Sequence, residues 1–276
     1  MKSFEFIYIL LFAFFVSTSL YSQENNDSII EAPPYTELDQ EFSLAHIEQA
    51  AQAYRDQDYQ RSIELYEEAV AQGLSNNMVS PQIYYNLGNA HFRDGNLGKA
   101  ILNYERALLL DPGDGDIRHN LRFANNRKVD RIAPAGDLFL SNWFKSVRDL
   151  FSSNVWSTVG IVLFLMFLVA VGIYLFVRLL WARKASFYSG IVIFIFMIIV
   201  NIFAFSQKNE RIRGDSAIVM SGAATVNASP DINSNLLFEL HEGTKVRIRN
   251  SDNNWYEVEI ENGSVGWTLK ENVEII

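Results

Sequence analysis

The 276-residue sequence contains no cysteine. This excludes disulfides, a thiolate nucleophile, a Cys-ligated zinc site and a lipoprotein-type thioether anchor. It is compatible with an oxidising compartment without demonstrating one. Histidine is scarce, and His46, His91, His119 and His241 are scattered without metal-ligand spacing. No serine lies in a recognisable nucleophile motif. "GNLGKA" has a superficial likeness to a phosphate loop, but Gly95 and Gly98 stand too close to Lys99 for the required spacing. "DPGDGD" clusters Asp111, Asp114 and Asp116 as a calcium loop would, without the later glutamate. A helix stop followed by a helix start accounts for it better. The expectation is a protein with no catalytic site, cofactor or metal.

Positive charge is also short: 23 Lys and Arg against 32 Asp and Glu leave a formal net charge of −9. The balance is roughly −10 over residues 23–125, roughly +6 over 126–215 and roughly −5 beyond. Two acidic lobes flanking a basic, apolar middle repel phosphate backbones, which argues against nucleic-acid binding.

What is present is apolar sequence gathered into blocks. "MKSFEFIYILLFAFFVSTSLYSQEN" has one positive charge at Lys2, an apolar run and then small polar residues, the layout of a signal peptide over residues 1–22. Glu5 and Leu20 depart from that layout; an uncleaved anchor is the alternative, although the run is short for a span of roughly 20 residues. Residues 23–40, polar and acidic with Pro33 and Pro34, read as a tether.

Two further runs, residues 159–180 and 187–205, reach the roughly 18 residues that a bilayer requires. They predict transmembrane helices over 155–181 and 187–206, joined by a cytoplasmic loop over 182–186. Arg178, Arg183 and Lys184 make that connector basic, in line with the positive-inside tendency. Lys145, Arg148, Lys208, Arg211 and Arg213 flank the opposite ends, so the signal peptide decides the orientation. Within a linker over 130–154, "FLSNWFKSVRDLF" has a helical apolar period and reads either as an amphipathic helix lying on the bilayer or as a core helix of the preceding domain. An even number of spans places both lobes on one side. With an export signal, the chain is expected in a bacterial inner membrane, two-pass, with both lobes periplasmic.

"YYNLGNAHFRDGNLGKAILNYERALLLDP" places Tyr84, Leu87, Gly88, His91, Ala100, Tyr104, Ala107 and Pro112 in the order of a tetratricopeptide repeat, with His91 where a tyrosine is usual. Gly88 and Ala100 are small where two antiparallel helices must cross, and Pro112 stops the second helix. "HIEQAAQAYRDQDYQRSIELYEEAV" aligns on this stretch with Ala50, Ser62, Tyr66 and Ala69 under Gly88, Ala100, Tyr104 and Ala107. "GDIRHNLRFANNRKVD" repeats only the first-helix pattern and reads as a cap. A domain of two repeats and a cap is expected over 41–129. It resembles the tetratricopeptide family, which implies a concave face that binds extended peptides or partner helices. On matching positions, that face presents Ile47, Ala51 and Tyr54, then Gln82, Tyr85, Asn89 and Phe92, with His119 and Phe123 on the cap. Phe92 and Phe123 are open to a packing role instead, and Asn89 is the preferred contact to a peptide backbone.

Residues 216–276 form short alternating stretches broken by turns, with Asn262-Gly263 the stronger hairpin signal. Glu242-Gly243 before one strand and Gly266-Trp267 after a hairpin make the segment resemble the bacterial SH3-like domain. The resemblance implies a small barrel that docks peptides or cell-wall material. Trp267 is expected in its core, and Trp255 and Tyr256 on a docking surface.

The expected fold class is multidomain: an all-α tetratricopeptide superhelix, two transmembrane helices and a small all-β SH3-like barrel. The whole order, with "DIRHNLRFANNRKVDRI" joining the repeats to the membrane, resembles the BatE-type family of the Bat aerotolerance operon. That resemblance implies, as partners, membrane-anchored von Willebrand A-domain proteins, a second repeat protein and a MoxR-type ATPase. The expected function is a non-enzymatic scaffold for envelope proteins; the alternative is a sensor or binder of peptidoglycan.

Overall fold

The computed structural model describes residues 37–75, 80–133, 136 and 139–276. The expected signal peptide and the tether up to residue 36 lie outside the described residues. Helix α1 (Glu37–Arg55) already takes in the last four residues assigned to the tether. It is followed by α2 (Tyr59–Ser75), α3 (Pro81–Asp94), α4 (Leu97–Leu110) and α5 (Gly115–Asn125).

Local chemistry sets these boundaries. The Ser80 hydroxyl caps α3 by accepting from the Gln82 N–H, and Pro81 fills a first-turn position that needs no donor. Gly95 ends α3 with φ 92°, a left-handed conformation that costs glycine little. Asp114 caps α5, its carboxylate accepting from the N–H groups of Asp116 and Ile117, so the aspartate cluster is a helix start.

The helices pack as successive antiparallel pairs. At the α3–α4 crossing, a side chain on Gly88 would come within 2.7 Å of the Tyr104 ring. In the first pair, Ala50, Ser62, Tyr66 and Ala69 are all buried, like their counterparts in the second, and the Ser62 hydroxyl donates to the Ala50 carbonyl. The self-alignment of the sequence therefore corresponds to repeated geometry. Leu121 and Ile117 of α5 close the last pair.

Helices α7 (Ser153–Phe176) and α8 (Leu180–Arg213) are long and apolar enough to cross a membrane. They pack through small residues: Gly190 faces Ala170, and Gly160 faces Asn201 and Val200. The reversal lies at 177–179, and the residues expected as a loop, 182–186, form the first turns of α8. "LWARKAS" contains no glycine or proline to stop a helix, so the turn falls earlier, at extended Val177.

Helix α6 (Phe139–Arg148) packs on the far end of α8, with Phe144 edge-on to Phe203 at 5.1 Å. Arg148 is buried there, paired with Asp149 and with Glu210 at 2.7 Å each. Gln207 donates to the carbonyls of Arg148 and Phe151. This helix is therefore no part of the repeat core; it belongs to the platform at the polar end of the hairpin.

The remaining chain forms a seven-stranded antiparallel sheet: β1 (Ser216–Val219), β2 (Ala224–Asn227), β3 (Leu236–Leu240), β4 (Lys245–Asp252), β5 (Trp255–Glu259), β6 (Val265–Leu269) and β7 (Val273–Ile275), in the order β3-β2-β6-β5-β4-β1-β7. Its core gathers Ala217, Val219, Val226, Leu240, Val246 and Val258. The Asn262-Gly263 turn is present, with Gly263 at φ 86°.

Candidate partner-binding surfaces

Asn89 lies in the third turn of α3. Its Oδ1 accepts two hydrogen bonds, from the Tyr104 hydroxyl at 2.8 Å and from the Asn120 amide at 2.8 Å. Burial drives the Tyr104 phenol well above its ordinary pKa, so the hydroxyl stays protonated and donates. With both lone pairs of Oδ1 engaged, the Asn89 amide is held in one orientation, and among the described residues its Nδ2 makes no hydrogen bond. Asn120 also donates to the Tyr85 hydroxyl at 3.1 Å.

One turn further on, Phe92 and Phe123 meet with ring centroids 5.6 Å apart. The Arg127 guanidinium lies over both rings, at 4.8 and 5.1 Å. Phe123 is 48% exposed, so the stack has an apolar surface open to solvent beside a cation. Tyr85, Asn89, Phe92 and Phe123 thus form one continuous surface. Both readings of Phe92 and Phe123 hold in part, since the rings pack on each other and still present a face. His119 is exposed on α5, one turn before Phe123. Tyr54 is edge-on to Tyr59 at 5.5 Å, and its hydroxyl and the Arg93 guanidinium both lie within electrostatic reach of the Tyr104 hydroxyl. Gln82 is exposed in the first turn of α3, where its side chain accepts from Ser80. Asn120, Arg127 and Tyr104 were not named from the sequence as part of this surface. The i, i+4 spacing of Phe123 and Arg127 was the available signal.

In the barrel the strand period rearranges the expected site. Trp255 pairs with Leu269 and Glu257 with Trp267 across β5 and β6, so these four share the outer face. Tyr256 points the other way, against the barrel core, with the Lys270 ammonium 4.9 Å from its ring. Trp255 and Tyr256 therefore do not form one surface. Trp267, expected in the core, is half-buried on the outer face, and its neighbours Gly266 and Thr268 face inward. A side chain at Gly266 would come within 2.5 Å of Val226, so the absence of one lets β6 lie close to β2.

The opposite side of the barrel is docked on the repeats. Ile218 of β1 is fully buried in the same cluster as Tyr84, Ile101, Tyr104 and Ile117, with Met220 and Ile276 packed against it. The Glu242 carboxylate accepts from the Gly98 N–H at 2.7 Å. Lys245 pairs with Glu105 at 2.8 Å, and Arg106 with Glu274 at 3.1 Å. The segment after α5 also straps onto the barrel. Asp130 accepts from the His241 N–H and the Thr244 hydroxyl and pairs with the His241 ring, all at 2.7 Å. Burial pushes the Asp130 carboxyl upward, but these bonds outweigh it and hold the pKa below the ordinary range. The Gly98 corner that resembles a phosphate loop therefore holds a carboxylate of the chain itself.

His91 is buried between the helix pairs, its Nε2 3.7 Å from Glu67. Burial and the neighbouring Lys99 cation lower its pKa to about 4, so it is neutral near pH 7 and serves as packing. Among the described residues, no group of three or more histidines and carboxylates is placed to hold a metal ion.

Residues 81–114 match the tetratricopeptide repeat family model, and residues 222–274 match the bacterial SH3 domain model. No curated protein matches the chain. Both matched modules are interaction folds that typically lack catalysis, and they point to protein or cell-wall binding. The chain joins a helical repeat domain and an antiparallel SH3-like barrel to two helices long and apolar enough to span a membrane.

Proposed function

We propose that this protein is a non-enzymatic scaffold of the bacterial inner membrane whose repeat groove holds an extended segment of an envelope protein. The observation that carries this reading is the fixed Asn89 amide, whose Nδ2 makes no hydrogen bond among the described residues, one turn from the Phe92–Phe123–Arg127 shelf. Such a surface hydrogen-bonds a peptide carbonyl and covers an apolar side chain next to it. In this reading α7 and α8 anchor the chain, α6 with Trp143 lies at the bilayer surface, and both lobes face the periplasm. The resemblance to the BatE-type family makes von Willebrand A-domain proteins and other Bat-type proteins the partners, in a role connected with aerotolerance.

The test is a photo-crosslinking residue in place of Phe92 in intact cells. A defined crosslinked partner that disappears when Asn89→Asp is added is the expected result; crosslinking that ignores Asn89 refutes the groove. Orientation is checked with Gln72→Cys and Asn262→Cys, labelled by an impermeant thiol reagent with the outer membrane permeabilised. Labelling only after lysis places both lobes in the cytoplasm.

A second reading rests on the outer barrel face, where Trp255, Trp267 and Leu269 lie side by side across β5 and β6. This face would grip peptidoglycan. Co-sedimentation of the full-length protein with cell wall, lost in Trp255→Ala and Trp267→Ala, favours it over the scaffold.

A further inference from the structure

We infer that the shape of the repeat groove and the position of the spanning hairpin are mechanically coupled through strand β1. Helix α8 runs unbroken from Leu180 to Arg213 and is about 51 Å long, against a hydrocarbon core of roughly 30 Å. Its last turns therefore stand clear of the bilayer. There they are clamped by the Arg148–Glu210 pair and by the bonds from Gln207 to the carbonyls of Arg148 and Phe151. Gly214, at φ 55°, then turns the chain, and only Gly214 and Asp215 separate the helix from β1.

Strand β1 has no freedom of its own, because β4 pairs on one side and β7 on the other. Its Ile218 is fully buried in the repeat cluster. Tyr104, whose hydroxyl fixes Asn89, belongs to that cluster, and Tyr85 and Phe92 pack against it. A continuous path of packed side chains thus leads from the membrane helix to the groove. Protein interiors are close-packed and transmit displacement. Tilting α8 moves β1 against α4, and with it the angle between α3 and α5. Repeat superhelices change curvature through small rotations of this kind. By thermodynamic reciprocity, an occupant that prefers one groove shape shifts the hairpin, and a bilayer that tilts the hairpin shifts affinity.

The inference rests on the hairpin spanning the membrane, and the experiment separates the two. Spin labels at Gln49→Cys on α1 and Arg122→Cys on α5, both exposed, report groove width in the otherwise cysteine-free full-length chain. The protein is reconstituted into nanodiscs of short-chain and of long-chain phosphatidylcholine, and flotation with lipid is checked first. Failure to float removes the spanning reading and the coupling with it. Electron–electron double resonance should then give label distances that differ by about 2 Å between the two bilayers. The shift should vanish when Gly-Ser-Gly-Ser is inserted after Gly214. An unchanged distance in the parent chain overturns the coupling, and a shift that survives the insertion overturns the route through β1. If the insertion leaves the lobes protease-sensitive, Ile218→Ala replaces it, with a reduced shift expected and an undiminished one refuting the route.

Discussion

The two faces of the repeat domain use the same kinds of side chain to opposite ends. On the face toward the barrel, polar groups are consumed within the chain: Glu105 by Lys245, Glu274 by Arg106, the Gly98 N–H by Glu242 and Asp130 by His241 and Thr244. On the proposed groove face, the Asn89 Nδ2 makes no hydrogen bond among the described residues while its acceptor is occupied, and Phe123 keeps an exposed ring under Arg127. Satisfied pairs make a joint, whereas fixed groups with donors to spare suit the proposed binding surface. The comparison predicts that substitutions in the joint act on stability and substitutions in the groove act on binding.

The largest stability loss is expected at Gly243. It holds φ 84°, and a side chain there would come within 2.7 Å of Ile101 in α4. Gly243→Val meets backbone strain and a steric clash together, and should cost about 3 kcal/mol or more. Urea unfolding of the detergent-solubilised protein checks this. A loss confined to the barrel, with the repeats unchanged, would break the claim that the two lobes share a core.

Acid should separate the two regions next. The folded-state pKa of His91, about 4, lies below the unfolded value of 6.5, so between these pH values the unfolded chain binds a proton that the native chain refuses. That contribution is fully present above pH 6.5 and is lost as pH falls through about 4, on the order of 3 kcal/mol in all. His91→Tyr, which restores the residue usual at this repeat position, should flatten the slope. Asp130 is also depressed, but from an ordinary carboxylate value of 3.8, so its contribution persists above that value and fades only at lower pH. Hydrogen exchange read between pH 7 and 4 should therefore show the repeats loosening while the strap still protects.

Asp130→Ala isolates the strap at neutral pH. It removes the acceptor shared by His241 and Thr244 and should cost about 2 kcal/mol, with protease cleavage appearing between α5 and α6. Groove binding should persist, because no residue of the Asn89 network touches Asp130.

The difference between joint and groove also marks what was legible in the sequence. Helix pairs, the capping helix, both apolar spans and the barrel turns each leave a local signal, such as Gly88 opposite Ala100 or Asn262-Gly263. The joint leaves none, since Gly98 and Glu242 stand 144 residues apart and neither type is unusual in its own segment. Trp255 and Tyr256 are a different kind of miss. They are adjacent in a strand, so a period of two already assigns them to opposite faces. The placement of Trp267 follows from the same alternation once Gly266 and Thr268 face inward. The connector between the spans was set by charge, while the turn follows helix propensity and comes several residues earlier.

The smallest stability effect carries the sharpest test. Asn89→Ala would leave the Tyr104 hydroxyl and the Asn120 amide without their acceptor, and a binding defect could then be blamed on a disturbed core. Asn89→Asp keeps an oxygen for both donors and removes only the Nδ2 donors. Stability should change by less than about 1 kcal/mol. Partner capture through a crosslinker at Phe92 should nevertheless fall at least about tenfold, because a carboxylate repels the peptide carbonyl that the amide would bind. A variant that loses stability and binding together would place Asn89 in the joint's class, as a packing residue. A variant that loses neither would refute the groove, because the Asn89 donors would then hold nothing.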